Sequence, residues 1–329
     1  MLKIGILGCG RIGQVHARSL FMVEGAQVAA VTDAFPDAAN ALAQKTGASV
    51  MSAEEMIASP DIDAVVIGTP TDTHFDLIQM SAKAGKAIFC EKPVDMSADR
   101  IRDCIKTVDA SGVPFLTGFN RRFDAGFAGI RARIAAGDIG DVELVTILSR
   151  DPSPPPVSYI KSSGGLFRDM MIHDFDMARF LLGEEIVRVY ATGSALVDPA
   201  IGEAGDVDTA VAVLTTASGR ICQISNSRRA TYGYDQRAEV HGSLGLLKAN
   251  NVPENNVELA SGAGFCAAPA QHFFLERYAG AYLAEMAHFV ACLQSGQAPS
   301  PGIRDGLAAQ MIADAAATSL ATGVPVDLA

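Results

Sequence analysis

Two small groups of residues in this sequence are of types and spacings that do chemistry. The first is Gly8-Cys-Gly10-Arg-Ile-Gly13, with Asp33 following 20 residues after its last glycine. A tight turn at Gly8, an approach free of side chains at Gly10 and close helix–strand packing at Gly13 are what a pyrophosphate needs to sit at a helix N-terminus. Arg11 and Ile12 lie inside that turn. The carboxylate of Asp33 can accept hydrogen bonds from an adenosine ribose and repels a 2′-phosphate, which favours NAD over NADP. Arg11 leaves two positions open: at the 2′ position, where it would soften that preference, or along the phosphates. The second group is Asp169 and His173, four residues apart. On one helix this spacing stacks a carboxylate and an imidazole on one face, which supplies a proton acceptor of near-neutral pKa and an orienting partner. The plainer reading of such a pair is a surface contact with no chemistry.

Both groups need a scaffold. Over the first 120 residues short apolar runs alternate with amphipathic stretches, the pattern of βαβ units around a parallel sheet. Strands are expected at 3–7, 28–31, 64–67, 86–90 and 113–119, with helices at 14–23, 36–45, 73–84 and 97–109. Beyond Asn120 the pattern changes. A helix over 124–136, a strand at 142–149, a proline-rich loop over 151–156 and one helix carrying Asp169 to Leu182 come first. Alternation in twos then predicts a run of antiparallel strands at 187–191, 209–216, 220–227, 237–241 and 245–249, with turns at 217–219 and 242–245. Helices over 279–294 and 306–320 close the chain. The expected class is α/β: a dinucleotide-binding domain over 1–120, then an α+β domain over 121–329 with an open, mostly antiparallel sheet. The closing helices are free to pack back on the first domain. Met170, Met171 and Phe175 read as core, and Asp174, Asp176 and Arg179 as pairs along a helix flank.

A chain of 329 residues, 49% hydrophobic and 19% charged, can bury a sizeable core and suggests two domains. Its 26 basic and 37 acidic side chains give a formal net charge of −11, and with no cluster of Lys and Arg this argues against nucleic acid as a partner. No run reaches the ~18 apolar residues of a membrane span, and the apolar stretch at 4–9 is too short to read as a signal peptide. Six cysteines without a close pair fit thiols in a reducing compartment better than a zinc site or a disulfide framework. The expectation is a cytoplasmic protein with no metal.

At Thr69-Pro-Thr-Asp-Thr-His74, and again at Gly85-Lys-Ala-Ile-Phe-Cys-Glu91-Lys92-Pro93, the chain resembles the Gfo/Idh/MocA oxidoreductases, and the resemblance runs over essentially its whole length. It implies a Rossmann first domain that binds NAD, with Thr69, Pro70, His74 and Glu91 beside the cofactor. It implies that Lys92 stands at the nicotinamide end and hydrogen-bonds the reacting oxygen. Gly164-Gly-Leu-Phe-Arg-Asp169-Met-Met-Ile-His173 extends the likeness and implies Lys92, Asp169 and His173 as the catalytic set. Asn120-Arg-Arg-Phe-Asp124, Arg150-Asp-Pro152 and Tyr232-Gly-Tyr-Asp-Gln236 resemble the inositol dehydrogenase branch. There they imply hydroxyl recognition by Arg122 and Asp151, and by one of Tyr232 and Tyr234. The implied reaction is NAD-dependent oxidation of a ring secondary alcohol of a small polyol to a ketone, with myo-inositol as first candidate. A sugar dehydrogenase or reductase of the same family and an NAD-binding regulator without turnover are the alternatives. An open sheet with one apolar face implies a homo-oligomer, and the family suggests a tetramer.

Overall fold

The computed structural model describes residues 1–328. It divides into two compact units, one of residues 1–123 with 280–310, the other of 124–279 with the C-terminal residues from 311. In the first unit the chain runs β1 (Leu2–Leu7), α1 (Arg11–Met22), β2 (Ala26–Thr32), α2 (Pro36–Thr46), β3 (Ser49–Val50), α3 (Ala53–Ala58), β4 (Ala64–Ile67), α4 (His74–Lys83), β5 (Ala87–Glu91), α5 (Ala98–Ser111) and β6 (Phe115–Gly118). The strands form one six-stranded parallel sheet in the order β3-β2-β1-β4-β5-β6. Both faces of such a sheet are covered, so its central strands are mainly apolar. Ile4, Ile6, Val66 and Phe89 pack into one cluster, and Leu7, Val65, Ile67 and Ile88 into the other. Side chains of the chain's own cap α3, where Ser52 and Glu55 form a reciprocal capping box, and α5, where Ser97 accepts from Arg100. The short β3 and α3 have no counterpart in the sequence reading, because elements this brief leave no periodicity to detect.

The second unit contains α6 (Ala125–Ala135), β7 (Val142–Arg150), α7 (Val157–Ser163), α8 (Gly165–Asp169), α9 (Ile172–Leu182), β8 (Ile186–Ser194), α10 (Pro199–Glu203), β9 (Thr209–Thr216), β10 (Ile221–Ser227), β11 (Asp235–Gly242), β12 (Gly245–Ala249), a separate hairpin of β13 (Glu258–Ser261) and β14 (Gly264–Ala267), and α11 (Phe274–Arg277). Then come α12 (Ala279–Ser295), α13 (Ile303–Thr322) and β15 (Val326–Asp327). From Gly280, α12 belongs to the first unit and adds Met286, Phe289 and Val290 to its core; α13 begins in that unit and ends in the second. The second sheet has the order β12-β11-β7-β10-β9-β8-β15. Its strands alternate as the twofold period requires. Val145, Ile147, Cys222, Ile224, Ala212 and Leu214 are buried, whereas Leu144, Ile221, Val211 and Val213 on the other face are exposed.

The structure corrects two expectations. The second sheet is mostly antiparallel, as expected, but the strands over 187–249 are not one unbroken run, because β7 lies between β11 and β10 and pairs in parallel with β10, Ser149 beside Asn226 and Arg150 beside Ser227. The helix expected to carry both Asp169 and His173 is broken. The Leu166 carbonyl accepts from the N–H of Met170 (3.0 Å) and of Met171 (2.9 Å), and both methionines turn into the core. Asp169 therefore closes α8 while His173 stands second in α9, so the spacing of four does not place them on one helix face.

Candidate active site

The first unit offers a binding loop at the C-terminal ends of β1, β2 and β4, where the strand order reverses and where ligands of doubly wound sheets bind. Gly8 adopts φ +97°, and a Cβ there would come within 2.7 Å of the Gly68 carbonyl oxygen, so only glycine closes the turn. A Cβ on Gly13 would collide with the Gly8 carbonyl, while one on Gly10 would meet nothing within 4 Å. The loop is thus tight behind and open in front. Unlike α3 and α5, α1 has no side-chain cap on its first turn and no acidic residue there. Its leading N–H groups and the positive end of its dipole suit a pyrophosphate. Arg11 is exposed on this turn, and Ile12 packs over Gly68.

Asp33 does two jobs that the spacing did not separate. Its Oδ2 accepts from the Cys9 N–H at 2.7 Å and its Oδ1 from the Phe35 N–H at 2.9 Å. The carboxylate therefore braces the glycine loop against the turn after β2. An ionised carboxylate has about four acceptor sites, so two stay available for ribose hydroxyls. Burial and the Asp33 charge push the Cys9 thiol up to about 11, which leaves it inert. These residues fit NAD.

Below this loop the structure corrects the part assigned to two residues. His74 is 1% exposed, its Nε2 lies 2.9 Å from the Thr69 carbonyl and its Nδ1 3.0 Å from that of Pro93, and burial pulls its pKa down. It clips the Thr69-Pro70 turn to the segment after Lys92 and presents no nitrogen outward. Glu91 is likewise buried, with Oε1 2.6 Å from His16 Nε2 and Oε2 accepting from the Lys92 N–H at 3.3 Å. Both are supports of the site's walls and not contacts on its surface. Thr69 and Lys92 are half-buried and Pro70 is exposed. Arg122 donates to Asp305 at 2.9 Å, an ion pair that ties the turn after β6 to the start of α13.

The second unit assembles a different site at the shared edge where parallel β7 and β10 end. Asp174, second after Ile172 in α9, is fully buried and accepts from Ser149 Oγ (2.6 Å) on β7 and Asn226 Nδ2 (2.9 Å) on β10. The flank pairing expected for Asp174 is therefore a buried anchor, and it fixes the helix turn that carries His173. One residue past the strand ends, Asp151 donates its N–H to the Ser227 carbonyl (3.0 Å) and Arg228 follows Ser227. The Arg228 guanidinium is 2% exposed; its Nη2 is 3.2 Å from Asp169 Oδ2 and its Nη1 3.9 Å from Asp151 Oδ2. Tyr159 Oη donates to Asp169 Oδ1 at 3.0 Å. Asp151, Asp169 and His173 are all half-buried. Asp151 and Asp169 are thus brought together by one arginine, with His173 on the next helix, the anchored α9.

Of the two candidate tyrosines, Tyr234 packs into an aromatic group with Phe273 and Tyr278, which removes its ring from any open surface. Tyr232 is 52% exposed and donates to Asp235 Oδ2 at 2.8 Å. Arg228 and Tyr159 were not found by sequence reasoning, and Asp174 was read only as part of a flank pair. The signal for Arg228 existed only in the pairing of two strands distant in sequence.

Residues 2–119 match an oxidoreductase family with an NAD-binding Rossmann fold, and residues 127–248 match the GFO/IDH/MocA C-terminal domain. The chain is 54% identical to the inositol 2-dehydrogenase of Rhizobium meliloti (strain 1021) over 100% of this chain and 99% of that protein. A myo-inositol dehydrogenase structure from Corynebacterium glutamicum superposes with a TM-score of 0.96 at 42% identity, covering 100% of this chain and 99% of that one. A scyllo-inositol dehydrogenase from Lactobacillus casei, solved with NAD(H) and scyllo-inositol, superposes with a TM-score of 0.93 at 30% identity, covering 99% of each. The glycine loop, the braced carboxylate and the whole-length match agree: this chain belongs to the GFO/IDH/MocA family of NAD-dependent oxidoreductases.

Proposed function

We propose that this protein oxidises one ring hydroxyl of a cyclic polyol, myo-inositol before others, to the ketone, forming 2-keto-myo-inositol in inositol breakdown. The observation that carries the reading is the cluster of Asp151, Asp169 and Arg228 next to the anchored His173. A group of charged acceptors and a proton acceptor suits a substrate that is hydroxyl on every carbon, because a misplaced hydroxyl leaves buried partners unpaired. His173 takes the proton of the reacting hydroxyl as general base. Lys92 stabilises the alkoxide that develops as that proton leaves. Asp169, held from both sides, orients a neighbouring hydroxyl or the imidazole. NAD supplies the two-electron acceptor; Gly8, Gly10, Arg11, Ile12, Gly13 and Asp33 hold its adenosine and phosphates, with Thr69 and Pro70 nearer the nicotinamide. Asp151, Arg122 and Tyr232 recognise the remaining hydroxyls.

We further propose a homo-oligomer, a tetramer as the family suggests. Leu144 beside Ile221, and Val213 beside Tyr190, form adjoining exposed rows on the second sheet that another copy would cover. No helix among the described residues is long and apolar enough to cross a membrane. The six free thiols suit a cytoplasmic location. The test of the activity is a panel of inositol isomers and aldopyranoses followed at the NADH absorbance. Myo-inositol should give the highest kcat/KM; a dominant aldopyranose would replace the cyclitol reading with a sugar dehydrogenase.

A further inference from the structure

We propose that Arg228 is a positioning residue for the alcohol-binding end of the second unit, holding Asp151 and Asp169 as one fixed pair of hydrogen-bond acceptors. The inference rests on the reading of Asp169 and His173 as groups that act on the substrate. Arg228 leaves β10 at the edge where that strand lies parallel to β7, and its backbone N–H donates to the Asp208 carbonyl at 2.8 Å. Asp208 is itself braced by the N–H groups of Leu196, Val197 and Asp198 at 2.8–3.0 Å. The side chain therefore starts from a rigid root. Its Nη2 and Nη1 face Asp169 and Asp151, whereas its Nε is buried without a partner. The two carboxylates are the side-chain partners of this guanidinium.

The chemistry of the pair explains why a cation belongs there. Two carboxylates within reach of one guanidinium repel each other, and the cation between them offsets that repulsion. The planar guanidinium fixes the direction of its hydrogen bond to Asp169 at 3.2 Å while its charge attracts Asp151 at 3.9 Å, a geometry that a lysine ammonium, as a point charge, does not fix. Tyr159 holds the second oxygen of Asp169. Loss of Arg228 thus misaligns Asp169 rather than releasing it.

The test measures kcat and KM for the polyol turned over fastest, together with NADH affinity by fluorescence, in Arg228→Lys, Arg228→Gln, Asp169→Asn and the Arg228→Gln/Asp169→Asn double variant. Arg228→Gln should lower kcat about 10²-fold, the usual effect of a misplaced reacting geometry, with NADH affinity kept. Arg228→Lys should lose about tenfold, because it keeps the charge and loses the fork. In the Asp169→Asn background, Arg228→Gln should cost less than about threefold more, since groups that act as a unit are not additive. Fully additive losses would mean that Arg228 acts elsewhere and would overturn the proposal. So would wild-type kcat in Arg228→Lys, a result that decides the matter even where Arg228→Gln does not fold. His173→Ala, assayed alongside, separates the two levels: wild-type turnover there sinks the catalytic reading itself, whereas a dead His173→Ala beside unaffected Arg228 variants sinks only this inference.

Discussion

The two units use the same device at different distances along the chain. In each, two parallel strands end side by side, and a charged group just past one end holds a residue that comes after the other. In the first unit the strands are β1 and β2, and Asp33 grips the Cys9 N–H, 24 residues away. In the second they are β7 and β10, and Arg228 grips Asp169, 59 residues away. The first site is made of backbone donors and glycines; the second is made of side chains brought in from four elements, β7, α8, α9 and β10. A backbone-built site acts on affinity for the ligand it cradles, whereas a side-chain site acts on proton transfer and orientation. Substitutions in the two regions should therefore fail in different ways.

Lys92 sharpens that contrast most, since it follows β5 of the first unit yet is assigned to the chemical step. Lys92→Ala should lower kcat roughly 10²–10³-fold, the loss typical of a donor to a developing oxyanion, while NADH still binds with near wild-type affinity. A comparable loss of NADH affinity would move Lys92 from the chemistry to the cradle.

Asp33→Ser should do the reverse. It removes the acceptor proposed for the ribose, a bond to a charged group worth about 1.5–3 kcal/mol, along with two braces of the loop, so NAD affinity should fall at least roughly 10–10²-fold with kcat at saturation little changed. The ratio of NAD to NADP specificity constants should fall too, because the repulsion of a 2′-phosphate is gone. NADP should not reach the affinity that the wild type has for NAD, since the loop is left unbraced. An unchanged ratio would mean the ribose is held elsewhere, and an enzyme that already accepts both cofactors would assign Arg11 to the 2′ position.

A smaller effect is expected at Tyr232, whose hydroxyl is bound to Asp235 at an exposed position. Tyr232→Phe should raise KM for the polyol about 2–10-fold through loss of one hydrogen bond, leaving NAD binding as it was. A variant indistinguishable from wild type would remove Tyr232 from the substrate side.

The smallest effect is on stability alone and belongs to the layer beneath the first site. Glu285 on α12 is fully buried, neither carboxyl oxygen has a partner, and burial, reinforced by the charge of Glu91, pushes its pKa well above the ordinary 4.5. The folded chain keeps a proton that the unfolded chain gives up above that pH. This group's contribution to stability is therefore lost as pH rises from 4.5 towards the folded pKa. Glu285→Gln should remove that slope, so its melting temperature should exceed wild type by a margin that widens between about pH 5 and pH 8. A margin independent of pH would show that Glu285 is ionised in the fold.

How much of this was legible in the sequence depends on the same distances. The glycine loop, Asp33 and the strands 64–67 and 209–216 could be read directly, because glycine spacing and apolar runs are local signals. The second site could be read only in its members. Asp169 and His173 were singled out by their spacing and Asp151 by resemblance, but the break at Met170 and Met171 was hidden by an apolar pattern that suits one continuous helix equally well. Arg228 was missed because alternation in twos reports a strand and not its partner or direction. Glu91 and His74 were given to the site's surface because a motif shows which residues are close in sequence, and not which of them the fold buries.

The division of labour between the two sites is tested most directly by His173→Ala, with turnover and NADH affinity measured on the same preparation. Turnover should fall by roughly 10²–10⁴, the usual contribution of a positioned acid–base group, while NADH binds as tightly as to the wild type. Near wild-type turnover, or a parallel collapse of NADH affinity, would contradict it.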